Sequence, residues 1–293
     1  MDLNNHVCYL CKNNNFLVRP GLVRDSKSLK VLECTNCGLV TLSSMDQIKD
    51  NHYENSGLHD YVEPDIESWI KLTHPDDERR FKFLINEIIN KNILDFGCGN
   101  GNFMQLARTS ATSVEGVELE KAMHPFFKKN DLNVFLNLED AMSKKKKWDL
   151  ITAFHVVEHL LEPKRILSDL AKLLTEDGKL IIEVPNSSDA LLTLYDNQDF
   201  QNFSYWSQHV YFYNEATLSE LIKQAGLQLH WVKHIQRYPL SNHLYWLSHG
   251  KPRGHLKWEF MNNEQLKSAY ENELASIGMT DTIIAAASKK PDE

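Results

Sequence analysis

Long apolar runs are missing from this chain, and none approaches the roughly 20 residues that carry a helix across a bilayer. The opening stretch, MDLNNHVCYLCKNNNFLVRP, lacks the apolar centre of a secretory leader. A cytoplasmic protein with no membrane partner is the expectation. Excess positive charge is missing too: Lys and Arg number 32 against 40 Asp and Glu, a net charge of −8. Proteins that grip nucleic acid usually present a basic face, so this balance weighs against a nucleic-acid partner. Cysteines are too few for a disulfide framework, five in 293 residues, and a chain of that length buries a core without covalent staples. Internal repeats are absent as well.

The cysteines that are present are unevenly placed. Cys8-x-x-Cys11 and Cys34-x-x-Cys37 are separated by 22 residues, and only Cys98 lies elsewhere. Two C-x-x-C turns joined by a hairpin can set four thiolates around one Zn²⁺. Gly38 follows the second pair, where a tight knuckle turn wants a glycine. With all four ligand positions filled, such a zinc is structural and contributes on the order of 10 kcal/mol to folding its unit. Residues 1–45 therefore read as a small zinc-ribbon-like domain. Residues 46–90 read as a polar linker (46–57, DQIKDNHYENSG) and a helix over residues 76–89. Asp76, Asp77 and Glu78 suit that helix's positive end, and Phe81, Leu84, Ile85, Ile88 and Ile89 form its apolar stripe.

From residue 91 onward, short apolar runs alternate with helical segments. Strands are expected at residues 93–96, 113–119, 133–138, 148–154, 179–184, 227–235 and 280–288. Pro163 opens a helix that Gly178 is expected to stop, and Thr217 with Glu220 forms a capping box for another. Repeated strand–helix units predict an α/β domain with a parallel sheet covered on both faces. Residues 236–278, aromatic and rich in histidine, interrupt the rhythm as an insertion or lid.

The segment NILDFGCGNGNF supplies the first chemistry. Its glycines, Gly97, Gly99 and Gly101, follow a strand in a G-x-G-x-G pattern. No Gly-Lys-Ser/Thr follows, so this is not a nucleoside-triphosphate loop. The sixth position of a dinucleotide fingerprint is Asn102 and not glycine. A looser loop suits a ligand without a pyrophosphate. Glu118, 21 residues after Gly97 at the end of the next strand, is placed to accept hydrogen bonds from two ribose hydroxyls.

ILDFGCGNG, GVELE, WDLITAFHVVEHLLEP and GKLIIEVPN together resemble the class I S-adenosylmethionine-dependent methyltransferases, over residues 92–187 and more weakly to 235. The resemblance implies a Rossmann-like seven-stranded sheet with a reversed last strand. It implies that Asp95, Gly97, Gly99 and Gly101 surround the cofactor's methionyl tail and ribose, with Glu118 on the ribose hydroxyls and Leu119 against the adenine. Asn137, Leu138 and Asp140 stand near the family's adenine-edge position, and His155 beside the cofactor. Cys98, at a variable position, takes a packing role.

Residues 155–159 also spell H-x-x-E-H, the pattern of a zinc peptidase helix. That reading is set aside, because His155 directly follows a strand and a peptidase gives the glycine loop no use. Glu158 and His159 instead anchor the start of the next helix, and no metal is expected there.

Methyl transfer needs alignment, exclusion of water and, for a hydroxyl acceptor, a base. QHVYFYNEATLSELIKQAGL resembles a stretch of the sugar C-methyltransferases that act on nucleotide-activated deoxysugars and carry an N-terminal four-cysteine zinc unit. That resemblance implies His209 as base, with Tyr205 assisting. Gln208 replaces that family's usual glutamate, and the family's C-terminal domain is lacking. The expected acceptor is a small molecule, a sugar or nucleotide-linked sugar, methylated on oxygen, nitrogen or carbon. Rival readings are an RNA methyltransferase that grips RNA with its zinc unit, and a non-enzymatic zinc- and cofactor-binding partner subunit.

Overall fold

The computed structural model describes residues 6–49, 52–54 and 66–290. Residues 50, 51 and 55–57 of the expected linker fall outside these. The parts within it are not detached: Gln47 donates to the Ser207 carbonyl at 2.9 Å, and Ile48 is buried.

Three short strands come first: β1 (Phe16–Val18), β2 (Val31–Cys34) and β3 (Val40–Leu42). Helix α1 (Ile66–Ile88) follows and begins ten residues before the expected start, with Pro75 inside it. Asp76 and Asp77 consequently sit in mid-helix, where they pair with arginines instead of capping a terminus. Then come β4 (Asn92–Phe96), α2 (Asn102–Ala107), β5 (Ser113–Val117), α3 (His124–Lys129), β6 (Asn133–Phe135), α4 (Leu138–Ser143) and β7 (Trp148–Phe154). After these run α5 (Pro163–Leu173), β8 (Leu174–Pro185), α6 (Gln198–Ser204), β9 (Tyr211–Phe212), α7 (Glu215–Gln224) and β10 (Leu227–Ile235). The expected insertion holds α8 (Leu240–His249), α9 (Gly254–Lys257) and α10 (Glu264–Ser276), and β11 (Thr282–Lys289) closes the chain's fold.

Seven strands form one sheet in the order β10-β11-β8-β7-β4-β5-β6. Strand β11 runs antiparallel to both neighbours, while β4, β5, β6, β7 and β8 pair in parallel. This is the Rossmann-like seven-stranded sheet with one reversed strand that the resemblance implies. Alternate residues serve opposite cores, as the two-residue period of a strand requires. Leu94, Ile151, Ile182 and Ala285 join the core on the α5 and α7 side, with Leu167 and Leu221. Ile93, Leu150, Ile181 and Ile284 face Leu84 and Ile88 of α1 and Phe103 of α2.

Two local expectations are corrected. Gly178 does not stop a helix: the chain turns extended at Leu174, and Gly178 lies within β8. The capping box of α7 is Asn214 with Thr217. Asn214 Oδ1 accepts from the Thr217 amide, and Thr217 Oγ1 accepts from the Asn214 amide, both at 2.9 Å.

The N-terminal sheet is completed from elsewhere, in the order β1-β2-β3-β9. Strand β9 lies antiparallel to β3, and Thr41 Oγ1 donates to the Val210 carbonyl at 2.9 Å. Arg19 Nη1 donates to the Ser187 carbonyl, just past the end of β8, at 2.8 Å. The cysteine-bearing unit is thereby held beside the ends of the parallel strands, where ligands bind in such sheets. Among the described residues no helix is long and apolar enough to cross a membrane.

Candidate active site

A cavity of about 420 Å³ opens at the C-terminal ends of β4, β5 and β7, within the usual size of small-molecule sites. Gly97, Gly99 and Gly101 have φ of +74°, +56° and +74°, a region that L side chains rarely adopt. A Cβ on Gly97 would collide with Val156 Cγ2. The Gly97 and Cys98 amides donate to the Val117 carbonyl at 2.9 and 3.1 Å, which ties the loop to the end of β5.

Glu118 completes that connection. Its Oε2 accepts from the Gly99 amide at 2.8 Å and its Oε1 from the Glu120 amide at 2.9 Å. Each oxygen retains a second lone pair for a ligand hydroxyl. Burial raises the Glu118 pKa, and the backbone donors offset only part of that rise. Asp95 is buried, accepts from Thr152 Oγ1 at 2.7 Å, and is pushed up to about 7 by desolvation.

Opposite the loop stands a wall of ions. Glu183, fully buried on β8, accepts from Arg80 Nη2 at 2.7 Å and from Arg79 Nη2 at 2.9 Å. Burial alone would raise its pKa, but Arg80, His155 and Arg79 hold it well below the usual carboxylate range. Arg237, just past the end of β10, bridges Asp281 at 3.2 Å and Asp76 at 3.3 Å. His155 follows β7 directly with φ +54°, a loop position as the sequence suggests. Its Nδ1 lies 3.2 Å from Glu158 Oε1 and its Nε2 3.3 Å from Glu183 Oε1. Burial lowers its pKa, but the two carboxylates outweigh burial and leave it raised.

Asp95, Gly97, Gly99, Glu118, Leu119 and His155 thus line one cavity. Gly101 stands behind it, turning the chain into α2. Cys98 packs with Met104, Met123, Phe127 and Leu132 while contributing to the cavity wall.

Other expected residues lie elsewhere. Asn137 caps α4 by accepting from the Asp140 amide at 2.8 Å, and Leu138 is buried in the core. Neither they nor Asp140 lines the cavity, because β6 ends at Phe135 and the chain turns at once into α4. Tyr205 is also absent from the lining. It is 1% exposed, with its ring against Phe212 and its edge against Gly21, in the core of the N-terminal sheet beside Val31, Val40 and Leu42. His209 sits one ring back from the cavity. It contacts His159, which does line it, at a centroid distance of 4.7 Å. Burial, with His159 next, lowers the His209 pKa to about 3.

Several cavity residues escape a motif-based reading: Tyr53, Trp69, Thr73, Asp76, Arg80 and Arg237. Arg237 alone carried a positional signal, since it lies just past the end of a strand in the main sheet.

The four N-terminal cysteines converge, with all four sulfurs within 4.8 Å of one another. Cys8 Sγ lies 3.5 Å from Cys37 Sγ, and Cys11 Sγ 3.4 Å from Cys34 Sγ. The two knuckles are built alike. Lys12 (φ +62°) donates to the Cys8 carbonyl at 3.0 Å, and Gly38 (φ +76°) donates to the Cys34 carbonyl at 2.9 Å.

A family model described as a methyltransferase domain matches residues 73–232. The ubiquinone biosynthesis O-methyltransferase of Coxiella burnetii (strain Dugway 5J108-111) is 25% identical over 186 residues, 59% of this chain and 80% of its own length. That of Hydrogenovibrio crunogenus is 25% identical over 170 residues, covering 53% of this chain and 70% of its own. Among solved structures, the 1,6-didemethyltoxoflavin-N1-methyltransferase of Burkholderia thailandensis, with 1,6-didemethyltoxoflavin and S-adenosylhomocysteine bound, superposes with a TM-score of 0.54. It shares 12% identity and covers 93% of this chain and all of its own (100%). The magnesium protoporphyrin IX methyltransferase of Synechocystis PCC 6803, with S-adenosylhomocysteine bound, gives 0.50 at 14% identity, covering 84% of this chain and 100% of its own. At such identities the structural likeness is one of fold.

Proposed function

Since the chain belongs to the methyltransferase-domain family and is an S-adenosylmethionine-dependent methyltransferase, we propose that it methylates a hydroxyl of a small polar acceptor, of the sugar or nucleotide-sugar class. The observation that carries this reading is the division of the cavity. One side is the glycine loop with Glu118; the other is lined by Asp76, Arg80, His155, His159, Tyr53 and Arg237. An acceptor rich in hydroxyls can add hydrogen bonds to such a charged wall, whereas an apolar one would cover it without offering any. Oxygen as the methylated atom is supported by the relatives named O-methyltransferases.

The residues present fit the cofactor. Gly99 borders the cavity with no side chain of its own, facing the Trp69 ring. Glu118 offers free lone pairs to ribose hydroxyls, and Asp95 can carry the negative charge that an ammonium group pairs with. Leu119 supplies apolar surface for the adenine. When bound, the cofactor supplies an electrophilic methyl group. The chain aligns the acceptor through the Arg237 and His155 wall, and helix α1 with Tyr53 supplies further lining of the cavity. His159 lines the acceptor side of the cavity with His209 behind it, and burial lowers the pKa of both imidazoles.

The four cysteines are proposed to hold one structural zinc. The support is the convergence of four sulfurs on two equivalent knuckle turns, a donor set that leaves no open position. The acceptor reading is tested by incubating the protein with S-adenosylmethionine and a panel of nucleotide sugars, free sugars and phenols, followed by mass spectrometry. Gain of one CH₂ on a sugar hydroxyl is expected. Methylation of phenols alone would overturn it.

A further inference from the structure

The H-V-V-E-H segment sends its two histidines in different directions. His155 turns to Glu183 and Arg237. His159 turns to His209, which arrives from the segment just before β9, with the ring planes at 80°. Glu158 stands between, 1% exposed. Its Oε1 is 3.2 Å from His155 Nδ1, but its Oε2 is buried with no hydrogen-bond partner among the described residues.

A carboxylate oxygen of Glu158 and one ring nitrogen each of His159 and His209 lie within 4.8 Å of one another. His159 Nδ1 lies 3.0 Å from the Gln208 carbonyl oxygen, which can only accept. That bond fixes the neutral tautomer, as carbonyls commonly do behind metal-bound histidines. The His209 ring makes no hydrogen bond to any described residue; its contacts are aromatic edges from His159, Trp206 and Phe212. A buried carboxylate oxygen without a partner costs about 1–3 kcal/mol. Two neutral imidazoles cannot relieve that cost as a cation can.

We propose that Glu158, His159 and His209 bind a divalent transition-metal ion in the wall of the methyl-transfer cavity. Two imidazole nitrogens and one carboxylate oxygen suit zinc, cobalt or nickel better than magnesium or calcium, which prefer all-oxygen sets. Metal–ligand bonds of about 2.0–2.2 Å put tetrahedral neighbours about 3.3 Å apart, so side-chain rotation draws the three groups together on binding. The site differs from the one the H-x-x-E-H pattern spells, because His155 is replaced by His209. His159 lines the cavity, so the remaining coordination position faces the acceptor space, where an acceptor hydroxyl oxygen becomes the fourth ligand. Only that last role rests on the methyl-transfer reading; metal binding itself does not.

The test is a cobalt(II) titration of the full-length protein after addition of one zinc equivalent for the cysteines, read by visible absorption and by paramagnetic proton NMR. One cobalt per chain is expected to bind with the weak bands of nitrogen and oxygen ligands and no thiolate charge-transfer band. Cobalt-shifted, exchangeable imidazole resonances are expected in the unaltered protein. His209→Ala should lose the cobalt equivalent while still binding S-adenosylhomocysteine, and Glu158→Gln should bind cobalt at least about tenfold more weakly. Absence of cobalt binding beyond the cysteines, absence of shifted imidazole signals, or full binding by both variants would overturn the proposal. Failure of methyl transfer with intact cobalt binding would count against the acceptor reading alone.

Discussion

Val40 and Phe212 are paired residues of one antiparallel ladder, although most of the fold lies between them in the chain. The four-cysteine unit therefore shares a strand with the segment that carries His209. Cys34→Ser is expected to abolish zinc binding and to forfeit metal stabilisation on the order of 10 kcal/mol in that unit. With β3 loosened, β9 loses its partner and turnover falls, while the seven-stranded sheet stays folded. Metal analysis together with hydrogen exchange at Thr41 and Tyr211 checks this. Unchanged exchange at Tyr211 in the zinc-free variant would separate the two units.

Arg80 and Glu183 should dominate the stability of the ionic wall. Removing one partner of a buried ion pair typically costs about 3–5 kcal/mol, and Arg80→Ala is expected to fall in that range by urea denaturation. The pH dependence has a definite sign. The folded-state pKa of Glu183 lies well below its ordinary 4.5, so its stabilisation is present above that value and is lost as the pH falls beneath it. The unaltered protein should lose stability on acidification, and the gap to Arg80→Ala should narrow.

Asp95 should behave in the opposite sense. Burial raises its folded pKa from 3.8 to about 7, so its contribution to folding becomes less favourable as the pH rises through that interval. Asp95→Asn, which can keep the bond from Thr152, is expected to be at least as stable as the unaltered protein above pH 7. It should nevertheless bind S-adenosylmethionine more weakly. In the unaltered protein, calorimetric affinity should drop as the pH falls below about 7, and that dependence should flatten in Asp95→Asn.

His209→Ala should fold and bind S-adenosylhomocysteine yet lose most turnover. Undiminished turnover in a radiolabelled methyl-transfer assay would remove His209 from the reaction.

Much of this architecture is legible because strands and their end residues carry local signals. The residues 227–235 expected as a strand coincide with β10, and the glycine loop with Glu118 forms one hydrogen-bonded corner of the cavity. What escaped is tertiary. Asp76, Asp77 and Glu78 suggest a helix start, yet α1 begins at Ile66 and runs through Pro75, because tertiary packing outweighs one missing amide bond. Tyr205 and His209 sit close in sequence, yet one packs in the core of the N-terminal sheet and the other reaches His159. Asn137 stands in sequence near the adenine-edge position that the resemblance implies, but a side chain that can cap a helix serves its own backbone first. The ionic wall joins α1, β8 and Arg237 just past β10, and no local pattern reports such a meeting.

Isothermal titration of the unaltered protein and of Glu118→Ala with S-adenosylhomocysteine, and with NAD as control, tests the cofactor site most directly. One equivalent should bind the unaltered protein, and the variant should bind about 10- to 100-fold more weakly, the worth of hydrogen bonds to a charged group. NAD should give no heat. Equal affinity of the two proteins for S-adenosylhomocysteine, or binding of NAD in its place, would contradict the assignment of the cavity between the glycine loop and Glu118.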